Sequence, residues 1–357
     1  MSTDRTCRHR PHSSIALRGA AFVAVAALVL AGCGSSSPRA ATVHNEGTRR
    51  PTTSATLILD FIPNAVHAGI YTALERGWYR RRGIDLHVVT PSATTETLKL
   101  IDAGQAQFGL ADGSDVASLI AHGGDAQAVM ALGQRPFGGL IGLASEHLSS
   151  PAALQGKTVG ITGVPSDTAV LDTEVRDAGG DPAKVHVVTV GFNGPAALLA
   201  GRIAAFTGFI PDEGVQLKLS GHPIDAFPLY RYGGPSYPGL VAFTTRRLIA
   251  SDPALVRGFV TATVRGYDAV LHDPALGLRE LLRANPTLPR GLTRASLQAY
   301  LPLFTGGGPG TGTATVAFGT LQTHNLEAMS GWMLDAGLIP TSVAATRYGT
   351  NRFLPGD

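Results

Sequence analysis

Short apolar runs alternate with amphipathic stretches through most of the chain. The first of these runs, Thr56 to Phe61 (TLILDF), has the length and the apolar content of a buried strand. Stretches such as Ser166 to Asp177 repeat apolar residues at helical spacing, which is typical of a helix packed on a sheet. Strands that alternate with helices in this way predict parallel sheets connected by right-handed crossovers. The pattern therefore predicts an α/β fold.

Two extended apolar runs, 127–144 and 237–245, bracket a self-contained strand-and-helix block. A block inserted between two strands that belong elsewhere predicts two lobes joined by two crossings of the chain, which is a hinge around a cleft. We expect residues 145–235 to form lobe 2, and residues 55–144 with 236–357 to form a discontinuous lobe 1.

The amino terminus carries arginines followed by an apolar run that is too short to span a bilayer comfortably. This arrangement predicts a signal peptide over residues 1–32. The run ends in Leu-Ala-Gly-Cys33, which resembles the bacterial lipobox, in which the cysteine is diacylated; the alternative is an ordinary signal peptide with a chance cysteine. Residues 33–54 are polar and aperiodic, so we expect a flexible linker that tethers an exported protein to the outer face of the cell membrane.

Composition narrows the functional classes. The 357 residues are enough for two domains, and the sequence pI of about 9.0 derives largely from the arginines of the predicted signal peptide, so it is no argument for nucleic acid. Cys7 lies in that peptide, which leaves no cysteine but Cys33 and excludes disulfides, thiolate catalysis and cysteine metal sites. Because the known hydrolase and metalloprotease motifs do not occur, we predict no catalytic residue, no metal and no cofactor.

The first strand breaks at Pro63 and is followed by a predicted helix, which is the kind of corner where open α/β sheets bind ligands. Phe61 and Tyr71 can supply aromatic faces for a flat ligand. Asn64 is a candidate ligand contact or simply the helix N-cap. His67 lies in the first helical turn, where the helix dipole disfavours the imidazolium. It is a candidate neutral recognition group, and the alternative is a packed or surface residue without a ligand role.

Polar residues also follow the ends of other predicted strands. Glu213 can accept two hydrogen bonds from a ring nitrogen and an exocyclic amine, although an acid at a helix start is also favoured by the dipole alone. The remaining candidates for polar ligand contacts, each of which could equally cap a helix, are Ser114, Asp115, Thr162, Ser166 and Asn193.

An ordered set of motifs carries a family resemblance. The segment Asp60 to Tyr71, DFIPNAVHAGIY, resembles the D-W-x-P-N-x-x-H-x-G-x-Y opening of the thiamine-pyrimidine-precursor binding proteins. Leu154 to Gly163, LQGKTVGITG, is similar to their L-K-G-K-x-I-G-x-x-G motif, and Gly208 to Val215 to their G-x-x-W-x-W-E-G-V segment. These proteins are solute receptors of bacterial ABC importers and are homologous to the eukaryotic thiamine pyrimidine synthase.

The resemblance implies a type II periplasmic-binding fold that closes on a pyrimidine between its lobes. It implies that Phe61, Asn64 and His67 line one wall and that Glu213 faces them from the second lobe. The partners it implies are the small ligand, an ABC permease and its ATPase, and we expect a monomer held to the membrane through Cys33. Two departures stand out: the family's first tryptophan is Phe61 here, and both tryptophans before Glu213 are absent.

Two alternative functions stay open at this point. The same receptor could carry riboflavin, an alkanesulfonate or nitrate. An anion is expected to bind to N–H groups at a helix start with an Arg or Lys nearby, and an acid at Glu213 argues against an anionic ligand. A pyrimidine synthase is the enzyme alternative. The resemblance ties that chemistry to a histidine that is consumed together with pyridoxal phosphate, to a Schiff-base lysine, and to a cysteine-rich segment that the predicted mature chain lacks.

Overall fold

The computed structural model describes residues 52–306 and 316–356, whose strands form two five-stranded sheets. The first sheet contains β1 (Thr53–Ile58), β2 (Ile84–Val89), β3 (Phe108–Ala111), β4 (Gln127–Gly133) and β10 (Leu240–Thr244). Their order across the sheet is β2-β1-β3-β10-β4. β1 is parallel to both of its neighbours, whereas β10 is antiparallel to both of its own.

The second sheet repeats this plan. It contains β5 (Gly138–Leu143), β6 (Thr158–Ile161), β7 (His186–Thr189), β8 (Ala205–Phe209) and β9 (Ile224–Pro228), in the order β7-β6-β8-β5-β9. β6 is parallel to β7 and β8, and β5 is antiparallel to β8 and β9. Each sheet thus has parallel strands whose carboxyl ends lie at one edge, where α/β folds bind ligands.

Helices cover both sheets. In the first two thirds of the chain they are α1 (Ala68–Glu75), α2 (Trp78–Arg81), α3 (Glu96–Asp102), α4 (Gly113–Ala121), α5 (Ser166–Asp177), α6 (Gly194–Leu199) and α7 (Val215–Leu219). Those of the last third are α8 (Arg246–Ser251), α9 (Pro253–His272), α10 (Pro274–Ala284), α11 (Arg290–Phe304), α12 (Thr323–Asp335) and α13 (Ala345–Tyr348). Among the described residues, no helix is long and apolar enough to cross a membrane.

The long helix α9 holds α1 tightly against the first sheet. A Cβ atom at Gly266 would lie 2.1 Å from the carbonyl oxygen of Gly69, so glycine is required for this close approach. The Tyr267 hydroxyl, which is fully buried, donates a 2.7 Å hydrogen bond to the carbonyl oxygen of Val66. This packing fixes the turn between β1 and α1, which forms one wall of the cavity described below.

The predicted α/β fold with two sheets is confirmed, but the predicted boundaries need correction. Strand β5 falls in the predicted lobe 1 segment 55–144, yet it pairs in the second sheet because the chain crosses over at Arg135 and Pro136, between β4 and β5. The predicted linker 33–54 overlaps β1, which begins at Thr53. The predicted signal peptide 1–32 and Cys33 lie outside the described residues.

Candidate functional site

A cavity lies between the two sheets, at the carboxyl ends of β1, β3, β6 and β8. Its volume is about 960 Å³ including space open to solvent, which is enough for a small organic ligand. The described apolar and aromatic residues around it are Phe61, Leu98, Leu110, Ala111, Pro136, Val164, Val170, Phe209, Leu229 and Tyr237. The polar ones are Asp60, Asn64, Thr94, Thr97, Asp112, Asp115, Thr162, Ser166, Asp167, Thr207, Asp212 and Glu213.

The turn after β1 is held by hydrogen bonds among its own residues. The Asn64 side chain accepts a 2.9 Å bond from the Val66 N–H, and His67 Nδ1 accepts a 3.1 Å bond from the Asn64 N–H. Since Nδ1 is an acceptor, the ring proton is on Nε2, which donates to Asp60 Oδ1 at 2.8 Å. The imidazole in this arrangement is neutral. We call this turn, residues 60–67, the first corner.

Only part of the predicted first wall reaches the cavity. Phe61 and Asn64 line it, but His67 is fully buried behind Asp60 and is not among the lining residues. Tyr71 is buried in the core of the first sheet, where burial raises the pKa of its hydroxyl while a hydrogen bond with Asn285 opposes that shift. The structure therefore separates Phe61 and Asn64, which reach the cavity, from His67 and Tyr71, which do not.

The residues predicted at the other strand ends also divide into those that line the cavity and those that do not. Asp115, Thr162 and Ser166 line the cavity. Ser114 is buried and donates from its hydroxyl to Asp112 Oδ1 at 2.7 Å, so it supports the wall without lining it. Asn193 precedes α6 and is not among the lining residues.

Glu213 lies on the turn that follows β8, over residues Ile210–Gly214, which we call the second corner. Its Oε2 accepts a 2.7 Å hydrogen bond from the Phe209 N–H. A Cβ at position 208 would lie 2.5 Å from that oxygen, so Gly208 makes room for the carboxyl group against β8. Burial, with smaller contributions from Asp212 and Asp167, raises the pKa of Glu213 to about 8.

Four carboxyl groups of the cavity are absent from the residues predicted from the sequence. Asp112 is the N-cap of α4, and Asp60 precedes the first helical turn after β1. Asp167 accepts four hydrogen bonds, from the hydroxyls of Thr162 and Thr207 and from the N–H groups of residues 163 and 164. Asp212 precedes Glu213. All four lie within a few residues of a strand end, and this placement is the sequence feature from which they could have been predicted.

Contacts across the cavity connect the two sheets. Asp115 Oδ1, on α4, accepts a 3.0 Å hydrogen bond from the N–H of Ser166 at the start of α5. The rings of Phe61 and Phe192 meet edge to face, with centroids 4.5 Å apart. The two walls are therefore in direct contact beside the cavity.

Solved structures match this fold at low sequence identity. The alkanesulfonate-binding protein SsuA of Xanthomonas axonopodis pv. citri has a TM-score of 0.67 and 15% identity, over 84% of this chain and 99% of that one. The periplasmic nitrate-binding protein NrtA of Synechocystis PCC 6803 has a TM-score of 0.63 and 13% identity, over 85% of this chain and 87% of that one. The fold is that of the type II periplasmic binding proteins.

The sequence comparisons give the family. The family model described as NMT1/THI5 like matches residues 64–276, which is more than half of the chain, so the chain belongs to this family. The formylaminopyrimidine-binding protein of Halalkalibacterium halodurans is 33% identical over 63% of this chain and 69% of its own length. The riboflavin-binding protein RibY of Chloroflexus aurantiacus is 28% identical over 84% of this chain and 86% of its own length. The 4-amino-5-hydroxymethyl-2-methylpyrimidine phosphate synthase of Legionella pneumophila is 27% identical over 70% of this chain and 79% of its own length.

Proposed function

We propose that this protein is an extracytoplasmic substrate-binding protein of an ABC importer. Its lobes close on a small flat heteroaromatic ligand, and a thiamine-related pyrimidine precursor is the ligand we favour. Support comes from the family membership, from the relative named as a formylaminopyrimidine-binding protein, and from the binding-protein fold. The partners are an ABC permease and its ATPase, and the protein acts as a monomer.

One observation carries the proposal: the cavity between the sheets pairs aromatic rings with a buried carboxyl group. Phe61 and Phe209 line it from opposite sheets, and Glu213 lines it with one oxygen bonded to the Phe209 N–H. A flat ring with an exocyclic amine needs stacking faces and a fixed acceptor, and this cavity offers both.

The amino-terminal part of the chain completes the proposal. Residues 1–32 serve as a signal peptide, and a lipid on Cys33 anchors the protein at the outer face of the membrane. The linker then runs to Thr53, where β1 begins. Lobe 1 comprises the first sheet with the helices of the last third of the chain. Lobe 2 comprises the second sheet, which includes β5.

The alternatives are less well supported. Riboflavin stays the second candidate, because the relative named RibY aligns with most of this chain. Sulfonate and nitrate are disfavoured because no Lys or Arg is among the described residues of the cavity. A synthase reaction is disfavoured because both ring nitrogens of His67 are engaged, by Asn64 and Asp60, and because no described lysine lines the cavity.

Calorimetric titration of the purified full-length protein tests the proposal. The solutes are 4-amino-5-hydroxymethyl-2-methylpyrimidine, riboflavin, ethanesulfonate and nitrate. Saturable binding of the pyrimidine at one site, with weak or no heat from the two anions, is the expected result. Binding of an anion in preference to the pyrimidine would refute the assignment, and a preference for riboflavin would replace the pyrimidine while retaining the receptor role.

A further inference from the structure

The cavity that would hold the proposed ligand has an unusual charge composition. Six carboxyl groups line it, three from each sheet: Asp60, Asp112, Asp115, Asp167, Asp212 and Glu213. No Lys, Arg or His is among its described lining residues. A buried carboxylate without a positive partner is costly, so this set of acids needs a counter-charge or bound protons.

The neighbouring histidine does not supply that counter-charge. His67 Nδ1 accepts from the Asn64 N–H and Nε2 donates to Asp60, so the ring in this arrangement carries one proton and no charge. Asp167 is stabilised differently, because four donors from the second lobe bond its two oxygens. These four bonds oppose the rise in the Asp167 pKa that burial causes. The Asp167 carboxylate in turn raises the pKa of Asp112, Asp115 and Glu213.

Several of these acids keep an acceptor oxygen for a ligand. Asp60 and Asp112 use Oδ1 for their hydrogen bonds, and Glu213 uses Oε2. The second oxygen of each accepts no hydrogen bond from the part of the chain that the structure describes. Glu213 is only 9% exposed, so its free oxygen can be satisfied only by something inside the cavity.

Burial and mutual repulsion hold protons on the cluster while no cation is present. Burial raises the pKa of Asp112 to about 7, of Asp212 to about 6 and of Glu213 to about 8, and neighbouring carboxylates add to each shift. Burial likewise raises the pKa of Asp115 and of Asp167. The other titratable groups around the cluster are the His67 imidazole, which opposes the shift of Asp212, and four buried tyrosine hydroxyls whose pKa values are raised by burial and by these acids: Tyr237, Tyr267, Tyr300 and Tyr348.

A metal ion does not fit this arrangement. Among the described residues, no group of three His, Cys, Asp or Glu side chains is arranged to hold a metal. The remaining walls are apolar or aromatic, including Phe61, Leu110 and Phe209, and such walls suit an organic ring. Aromatic faces also attract organic cations directly.

Resting on the proposed receptor function, we propose that the cavity selects a flat heteroaromatic cation, with the ring charge and its amino N–H groups directed at the carboxyl cluster and Glu213 as the main acceptor. Neutral rings of the same shape bind more weakly, and anionic rings are excluded. Cation binding displaces protons from the cluster, because the bound charge favours ionised carboxylates.

Three probes that have nearly the same shape but different charges test this selection: 1-methyl-4-aminopyrimidinium, 2-amino-5-methylpyridine and 6-aminonicotinate. At about pH 9 the first is a permanent cation, the second is mostly neutral and the third is an anion. Calorimetry with the full-length protein is expected to give at least about tenfold tighter binding of the cation than of the neutral ring, and no binding of the anion.

Two variants locate the effect. Glu213→Gln keeps the shape and the acceptor for the Phe209 N–H, and it is expected to weaken cation binding at least about tenfold while changing neutral-ring binding less than about threefold. The matched control is Glu327→Gln, at an exposed glutamate on α12, which should leave all three affinities unchanged. Circular dichroism of each variant reports folding.

The outcomes distinguish the two proposals. Equal or tighter binding of the neutral ring, or competition by the anion, would overturn the selection for a cation and leave the receptor function intact. Absence of binding by all three rings, together with binding of an unrelated solute, would overturn the heteroaromatic ligand itself and the cation with it. An unchanged cation affinity in a folded Glu213→Gln variant would remove Glu213 as the main acceptor.

Discussion

The two corners of the cavity use similar residues in opposite ways. In the first corner, Asn64, His67 and Asp60 bond to one another and to local N–H groups, so most of their polar atoms are already satisfied. In the second corner, Glu213 bonds to Phe209 through one oxygen and keeps the other for the cavity. Hydrogen bonds make the first corner rigid, and we propose that the second corner serves recognition. A residue in a ligand-binding motif can thus act as a support for the wall rather than as a contact.

The largest expected effect concerns the second corner and is a loss of stability with rising pH. Glu213 ionises near its ordinary value of 4.5 when unfolded but stays protonated in the fold up to about pH 8. Unfolding therefore releases a proton between these values, so the free energy of unfolding falls as pH rises through this range and levels off above it. Asp112 and Asp212, with raised pKa values of about 7 and 6, add to the fall.

Urea denaturation of the unliganded protein from about pH 5 to about pH 8 should show a decrease of several kcal/mol, because a tenfold change in a protonation equilibrium corresponds to about 1.4 kcal/mol. Glu213→Gln removes its share of that slope, and Glu327→Gln should leave the slope as it is. Stability that rises over this range would show that the cluster is ionised in the unliganded fold.

The next effect tests the first corner as a structural unit. His67→Ala removes both buried hydrogen bonds of the ring and leaves the Asn64 N–H and the Asp60 carboxylate without them. We expect a loss of about 2–4 kcal/mol in the free energy of unfolding. His324→Ala, at an exposed position of α12, is the matched control and should change stability by less than about 0.5 kcal/mol.

The comparison between corners predicts opposite profiles for His67→Ala and Glu213→Gln. The first lowers stability and, where the variant is folded, changes cation affinity by less than about tenfold. The second lowers cation affinity and, at pH 7, raises stability rather than lowering it, because ionisation of Glu213 in the unfolded chain already reduces the stability of the native protein at that pH. A fully stable His67→Ala protein that has lost binding would reverse the roles of the two corners.

The smallest effect concerns the contact between the walls. Phe192→Ala removes the edge-to-face partner of Phe61, a contact of about 0.5–1.5 kcal/mol. Because this contact holds the walls together beside the cavity, ligand release measured by stopped flow should become several-fold faster. Leu199→Ala, at an exposed site on α6, is the control. Unchanged release in Phe192→Ala would mean that the ring pair does not restrain opening.

Hydrophobic periodicity was sufficient for the fold because each element buries one continuous face. The predicted helix 166–177 coincides with α5, and the predicted strand 56–61 overlaps β1, which runs over Thr53–Ile58. The prediction for β5 failed because periodicity does not tell which sheet a strand joins. Long-range pairing decides that, here through β8 and β9 on either side of β5.

The site was less predictable than the fold, because a sequence motif shows where a residue lies along the chain but not which way its side chain points. Phe61, Asn64 and Glu213 line the cavity as expected from their strand ends. His67 was expected beside them, but its ring turns back to Asp60, and sequence spacing cannot distinguish these two directions. The full acid cluster is not evident from the sequence, because its members are far apart along the chain and each resembles an ordinary helix cap.

Proton release on binding tests the central claim most directly. Titration of the full-length protein with 1-methyl-4-aminopyrimidinium at about pH 7, in phosphate and in Tris buffer, measures the protons exchanged, because the two buffers differ in ionisation heat. The cation cannot itself gain or lose a proton near this pH, so any exchange comes from the protein. Release of about one proton per bound cation, reduced in Glu213→Gln, is the predicted result. Equal binding heats in the two buffers, or uptake of protons, would contradict a cavity whose carboxyl cluster exchanges protons for a cationic ligand.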